Sequence, residues 1–142
     1  MPHQICTFHI VAEVVKAVLG AVASARKGLA AAQPKLPKGR PSTQAAKAAA
    51  RKKKRLAAQR AALFTHRSLF VQHHLSKRER KTLWRITRDL PQLRTLRAIM
   101  EQVYRVRTQA QIRARLALDM WREAQAEGRQ QTLASLHHAR AG

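Results

Sequence analysis

Cys6 and His9 stand in a C-x-x-H spacing, QICTFH, near the start of the chain, and their types could do chemistry. A thiolate and an imidazole are zinc ligands, so a metal site is the first chemistry to weigh. Structural zinc takes four ligands, commonly from two paired spacings, and Cys6 is the single cysteine. The remaining histidines are His3, His66, His73, His74, His137 and His138. His73–His74 and His137–His138 are adjacent pairs, and on a helix adjacent side chains point about 100° apart and do not converge. The pattern favours surface or half-buried histidines, and no metal ligand set is assigned.

Hydrolytic chemistry fares no better. The carboxylates are Glu13, Glu79, Asp89, Glu101, Asp119, Glu123 and Glu127. Glu79 closes Ser76-Lys-Arg-Glu79, a capping box, which occupies its carboxylate in holding a helix end. Glu123 and Glu127 share a helix face, but near its end and among arginines. The chain has no glycine-rich phosphate loop, no nucleophile elbow and no serine beside an evident base. No catalytic residue is assigned.

Charge is the stronger signal. Lys and Arg number 29 against 7 acidic residues in 142, a formal net charge of +22. A compact chain with that excess repels itself unless a polyanion neutralises it, so the expected partner is nucleic acid, specifically DNA. No small-molecule substrate and no membrane partner is expected. The candidate contacts are RKKKR, Arg51, Lys52, Lys53, Lys54 and Arg55, together with Lys38, Arg40, Arg105 and Arg107. A five-residue run wraps the whole circumference of a helix, so it cannot be buried. It is either a solvated face or a phosphate-binding patch, and the global excess of charge keeps the second reading level with the first. Lys38 and Arg40 lie in K-G-R-P, which has the core of an AT-hook, a basic arm for the minor groove. A plain basic linker is the simpler reading of so short a match.

The elements that carry these residues read as all-α. Alanine, leucine, arginine, lysine and glutamine dominate, and strand formers are few. A first helix is expected from about His9 to Arg26, with Phe8, Val11, Val15, Val18 and Val22 on one stripe and Gly28 as its stop. The run from Ile10 to Val22 is interrupted by Glu13 and Lys16 and reads as too short and too charged to span a bilayer. With one cysteine and no secretory leader, the chain is placed in the cytoplasm, at the nucleoid if expressed. Residues 31–43, with Pro34, Pro37, Gly39 and Pro41, form a basic linker. A second helix begins after Ser42 or Thr43 and carries Leu56, Leu63 and Phe70 at seven-residue spacing. The Ser76 box opens a third, with Leu83, Trp84 and Ile86. Pro91 suits the first turn of a fourth, with Leu93, Leu96, Met100 and Val103 on one stripe. Thr108-Gln-Ala-Gln111 has the form of another capping box, so a separate helix is expected over 108–128, closed by Gly128 and followed by a polar tail over 129–142. The organisation is therefore 1–30, 31–43, 44–107, 108–128 and 129–142.

Three stretches carry a resemblance: QICTFHIVAEVVKAVLGAVASARK, LFVQHHLSKRERKTLWRITRDLPQLRTLRAIMEQVYR and YRVRTQAQIRARLALDMWREAQAEGR. They resemble segments of bacterial DDE-type insertion-sequence transposases, and together they cover most of the chain. The resemblance implies a ribonuclease-H-like core in the intact family, in which two aspartates and a glutamate hold two Mg²⁺ ions for phosphodiester transfer. It also implies a role for Cys6 and His9 as the C-x-x-H family signature that follows the second catalytic aspartate. That aspartate, and the strands of the sheet, are expected upstream of Met1. In the family, AIM-x-x-VYR belongs to a helical insertion and YRVRTQ-x-x-I follows the catalytic glutamate. Here the two are fused at Val103–Arg107, which implies an in-frame deletion between short VYR-like words. Glu101 lies just before the junction in the context of the insertion and does not take the glutamate's role. The expected molecule is an all-α remnant, the helical parts of the transposase without its sheet. It binds DNA without catalysing transfer, with an intact transposase copy as a further partner. The competing reading is a small architectural nucleic-acid-binding protein.

Overall fold

The computed structural model describes residues 7–141. Among them are four α-helices and one short 3-10 helix, with no strand. The chain is all-α, as its composition and periodicity require. It divides into two units, Met1–Tyr104 and Arg105–Gly142, which are taken in turn.

Helix α1, Thr7–Ala31, turns Val11, Val18, Val22 and Leu29 into the core at seven- and four-residue spacing. Val14, Val15 and Ala25 pack beside them, while Phe8 is exposed. Gly28 does not stop the helix. A helical glycine costs about 1 kcal/mol relative to alanine, and one further turn buries Leu29, which returns roughly 1.5–3 kcal/mol. The longer helix also corrects the bilayer expectation. Phe8–Ala31, whose most apolar 18-residue stretch has a mean hydropathy of 1.6, is long and apolar enough to cross a membrane by length and composition alone, a test that the core helix of a soluble protein also passes. The chain leaves helical geometry ahead of Pro34 and stays irregular to Thr43, and Gly39 takes a positive φ of 109° that disfavours any side chain.

Helix α2, Gln44–Thr65, starts where Thr43 Oγ1 accepts the amide proton of Ala46 at 3.1 Å. Leu56 and Leu63 anchor it in the core. It stops short of Phe70: His66 departs from helical dihedrals, and a 3-10 turn, Arg67–Phe70, redirects the chain so that both Leu69 and Phe70 are buried. Helix α3, Lys77–Ile86, opens on the complete capping box. The Glu79 amide donates to Ser76 Oγ at 3.2 Å, and the Ser76 amide donates to Glu79 Oε2 at 2.7 Å. Leu83 and Ile86 enter the core, but Trp84 is exposed.

The Ser76 amide, the Gln72 side-chain amide and the Ser76 hydroxyl, in that order, hold the Glu79 carboxyl below its ordinary value of 4.5. A carboxyl lowered in the folded state adds stability above its unfolded value and loses it as pH falls through the folded one. Acid titration of the unfolding midpoint should therefore show a loss beginning near pH 5 and continuing below 4.5. Glu79→Gln should flatten that part of the profile. An unchanged acid limb in the variant would show that the box is not linked to folding.

Helix α4, Pro91–Ala141, places Leu93, Arg97 and Met100 in the core of the first unit. Its remainder is the second unit. Neither the Thr108 box nor Gly128 interrupts it, contrary to expectation. A cap is worth about 1 kcal/mol where a helix begins, but starting a new helix pays the nucleation cost again, and no proline compels a break. The helix also takes up the sequence read as a polar tail. Every side chain from Thr108 to Ala141 is exposed.

Candidate nucleic-acid interface

Arg51, Lys52, Lys53, Lys54 and Arg55 all lie on α2 and are all exposed. Among the described residues no ion pair engages any of the five. Helical spacing separates them. Arg51, Lys54 and Arg55 share a sector of about 100° with Lys47 one turn earlier, on the side turned away from Leu56 and Leu63. Lys52 and Lys53 fall outside that sector. Alanines 45, 46, 48, 49 and 50 precede the run, so the long cationic side chains rise from a low surface, and Ala48, Arg51, Lys52 and Arg55 line a shallow open groove. The arrangement presents several mobile cations along one edge of a rigid rod. It can neutralise a row of phosphates and has no means of reading a base edge by fixed hydrogen bonds.

The other expected contacts are placed as follows. Lys38 and Arg40 are exposed in the irregular linker that leads into α2. Arg105 and Arg107 lie on α4 in the second unit, Arg105 exposed and Arg107 half-buried. Cys6 lies outside the described residues. His9 is exposed on the first turns of α1, edge-on to the Phe8 ring at 6.3 Å. His73 and His74 are not helical. They sit in the loop before Ser76 with ring centroids 4.2 Å apart, and His73 lies 4.6 Å from the Tyr104 ring.

A second basic surface went unread in the sequence. Lys77, Arg78, Lys81, Arg85 and Arg88 are exposed on and just after α3. Trp84 stands among them with the Arg94 guanidinium 3.9 Å above its ring. The signal was present in KRERKTLWR, where the capping box drew attention to the helix start and away from its charge.

Not every arginine serves the surface. Arg97 is buried, with Nη1 donating to Leu69 O at 3.0 Å and Gln72 O at 2.6 Å, and Nε donating to Glu101 Oε1 at 3.3 Å. Glu101 also accepts from Arg80 at 3.2 Å. Tyr104 donates to Val71 O nearby. These bonds fasten α4 to the segment that leaves the 3-10 turn.

The carboxylates do not fit a two-magnesium centre. Glu79 is held by the capping box, Glu101 by Arg80 and Arg97, Asp119 by Arg122 at 3.6 Å, and Glu13 faces Lys16 at 3.5 Å. Among the described residues no three of His, Cys, Asp and Glu come together as a ligand group. No known family model, curated protein or solved structure matches the chain.

Proposed function

We propose that this chain is a basic DNA-binding remnant of a DDE-type transposase, without a metal-dependent catalytic centre in the sequence given. The observation that carries the DNA-binding part is the exposed, unpaired cationic run Arg51–Arg55 in a chain of formal charge +22. The family part rests on the three resembling stretches of sequence, and the all-α fold is in keeping with helical segments that lack their sheet. On this reading the protein works in the cytoplasm at the nucleoid, and an intact transposase copy is its second partner. The intact family uses Mg²⁺; among the described residues no three of His, Cys, Asp and Glu come together to hold it, and no step is routed through it.

The test is fluorescence anisotropy with short duplexes across a salt series, paired with a strand-transfer assay in Mg²⁺. The expected result is binding that weakens steeply with salt, with no transfer product. Preference for one terminal inverted repeat at physiological salt would mark a derivative that keeps the transposase's own specificity. Sequence-independent binding that bends the duplex would favour the architectural reading. No binding at low salt would remove both.

A further inference from the structure

The second unit carries a face that matches itself. Arg105, Gln109, Ile112, Leu116, Met120, Glu123 and Glu127 follow one another at four- and three-residue steps along α4, so they form a single stripe about 33 Å long. The stripe is basic at one end, apolar in the middle and acidic at the other. Its three apolar members are 62%, 59% and 62% exposed, in order. Among the described residues, no ion pair engages Arg105, Glu123 or Glu127, whereas Asp119 and Arg122, off the stripe, pair with each other. Three of the seven acidic residues of this basic chain lie between positions 119 and 127.

We propose that this face pairs with the same face of a second copy, antiparallel, about a two-fold axis at Leu116. In that register Leu116 meets Leu116, Ile112 meets Met120, and the Arg105–Gln109 end of each helix meets the Glu123–Glu127 end of the other. A parallel pair would set Arg105 against Arg105 and glutamate against glutamate, so the charge order selects the antiparallel one. An unrelated acidic partner would satisfy Arg105 but oppose Glu123 and Glu127, and a nucleic acid would be repelled by the acidic end. A second copy satisfies both ends at once. The contact is small, so the dimer belongs with weak interfaces, of dissociation constant on the order of micromolar.

Sedimentation equilibrium on nuclease-treated full-length protein at near-physiological salt tests the proposal, with far-UV circular dichroism as the control for helicity. Leu116→Glu should leave the helix intact, since the residue is exposed, and weaken dimerisation by about 100-fold. Arg105→Glu and Glu127→Arg should each weaken it by about 10-fold, and the two together in one chain should restore it. The direction for Arg105→Glu is diagnostic. It lowers the net charge of the chain and would strengthen association if general repulsion were in control. A protein that stays monomeric at high concentration overturns the proposal. So does association untouched by Leu116→Glu, or a double reversal that fails to rescue the single ones.

Discussion

Arg97→Ala should lower the unfolding free energy of the first unit by about 3 kcal/mol. Arg97 is 6% exposed, and its guanidinium donates to two main-chain carbonyls, Leu69 O and Gln72 O. Leu69 is in the last turn of the 3-10 helix and Gln72 follows it, and the amides of Val71 and Gln72 donate to Ser68 O instead. Leaving each carbonyl unsatisfied costs about 1–3 kcal/mol, and the missing side-chain stem adds a packing loss. Two effects work the other way. The desolvation cost of a buried cation disappears with it, and Glu101 keeps Arg80. The carbonyl term wins because alanine cannot move a donor into the space. Arg97→Lys should fall between, since an ammonium keeps the charge but cannot span both carbonyls with a planar fork. Urea unfolding followed by circular dichroism measures the series. A loss under about 1 kcal/mol for alanine would mean that water satisfies the carbonyls and that Arg97 is no fastener.

Much of this unit was legible because local rules and burial agreed. Ser76 and Glu79 specify a helix start by their own hydrogen bonds, Thr43 does the same for α2, and Leu56, Leu63 and Phe70 recur where the core needs them. Where local and tertiary terms compete, the sequence misleads. Gly28 and Gly128 look like stops, but each is a small local cost outweighed by the helix on either side. Trp84 lies between core residues in sequence and reads as apolar, yet its place in the helix turns it outward, where Arg94 covers one face. Arg97 looks like one more cation in RTLRAIM. Its spacing from Leu93 and Met100 puts it on the core stripe, and that spacing was the available clue. His73 and His74 lie between α2 and α3, off any helix, so their rings approach each other where a helix would have parted them. The candidate interface was the plainest feature. Five consecutive cations exceed what any one helical face can hide, whatever the rest of the fold does.

The position of Arg51–Arg55 on α2 yields the largest expected change in binding. Replacing all five by glutamine should keep the helix, since glutamine is a good helix former and Leu56 and Leu63 are untouched. A duplex can meet only one side of α2. The side turned away from the core carries Arg51, Lys54 and Arg55, so about three phosphate contacts should be lost rather than five. Each contact releases close to one counterion, so the log–log salt dependence should become shallower by about 2.7. Near 0.1 M salt that corresponds to roughly a 500-fold loss of affinity, closing as salt approaches 1 M. Arg51→Gln, Lys54→Gln and Arg55→Gln together should reproduce nearly all of this. Lys52→Gln with Lys53→Gln should change the slope by less than about 1. Anisotropy titrations across the salt series distinguish the two sets. If each set lowers the slope in simple proportion to the charges removed, then α2 has no binding side. The +22 would then act as a diffuse cloud around the whole protein. If the outward set dominates, the helix holds its cations as a row, and the core that orients Leu56 and Leu63 is also what aims the interface.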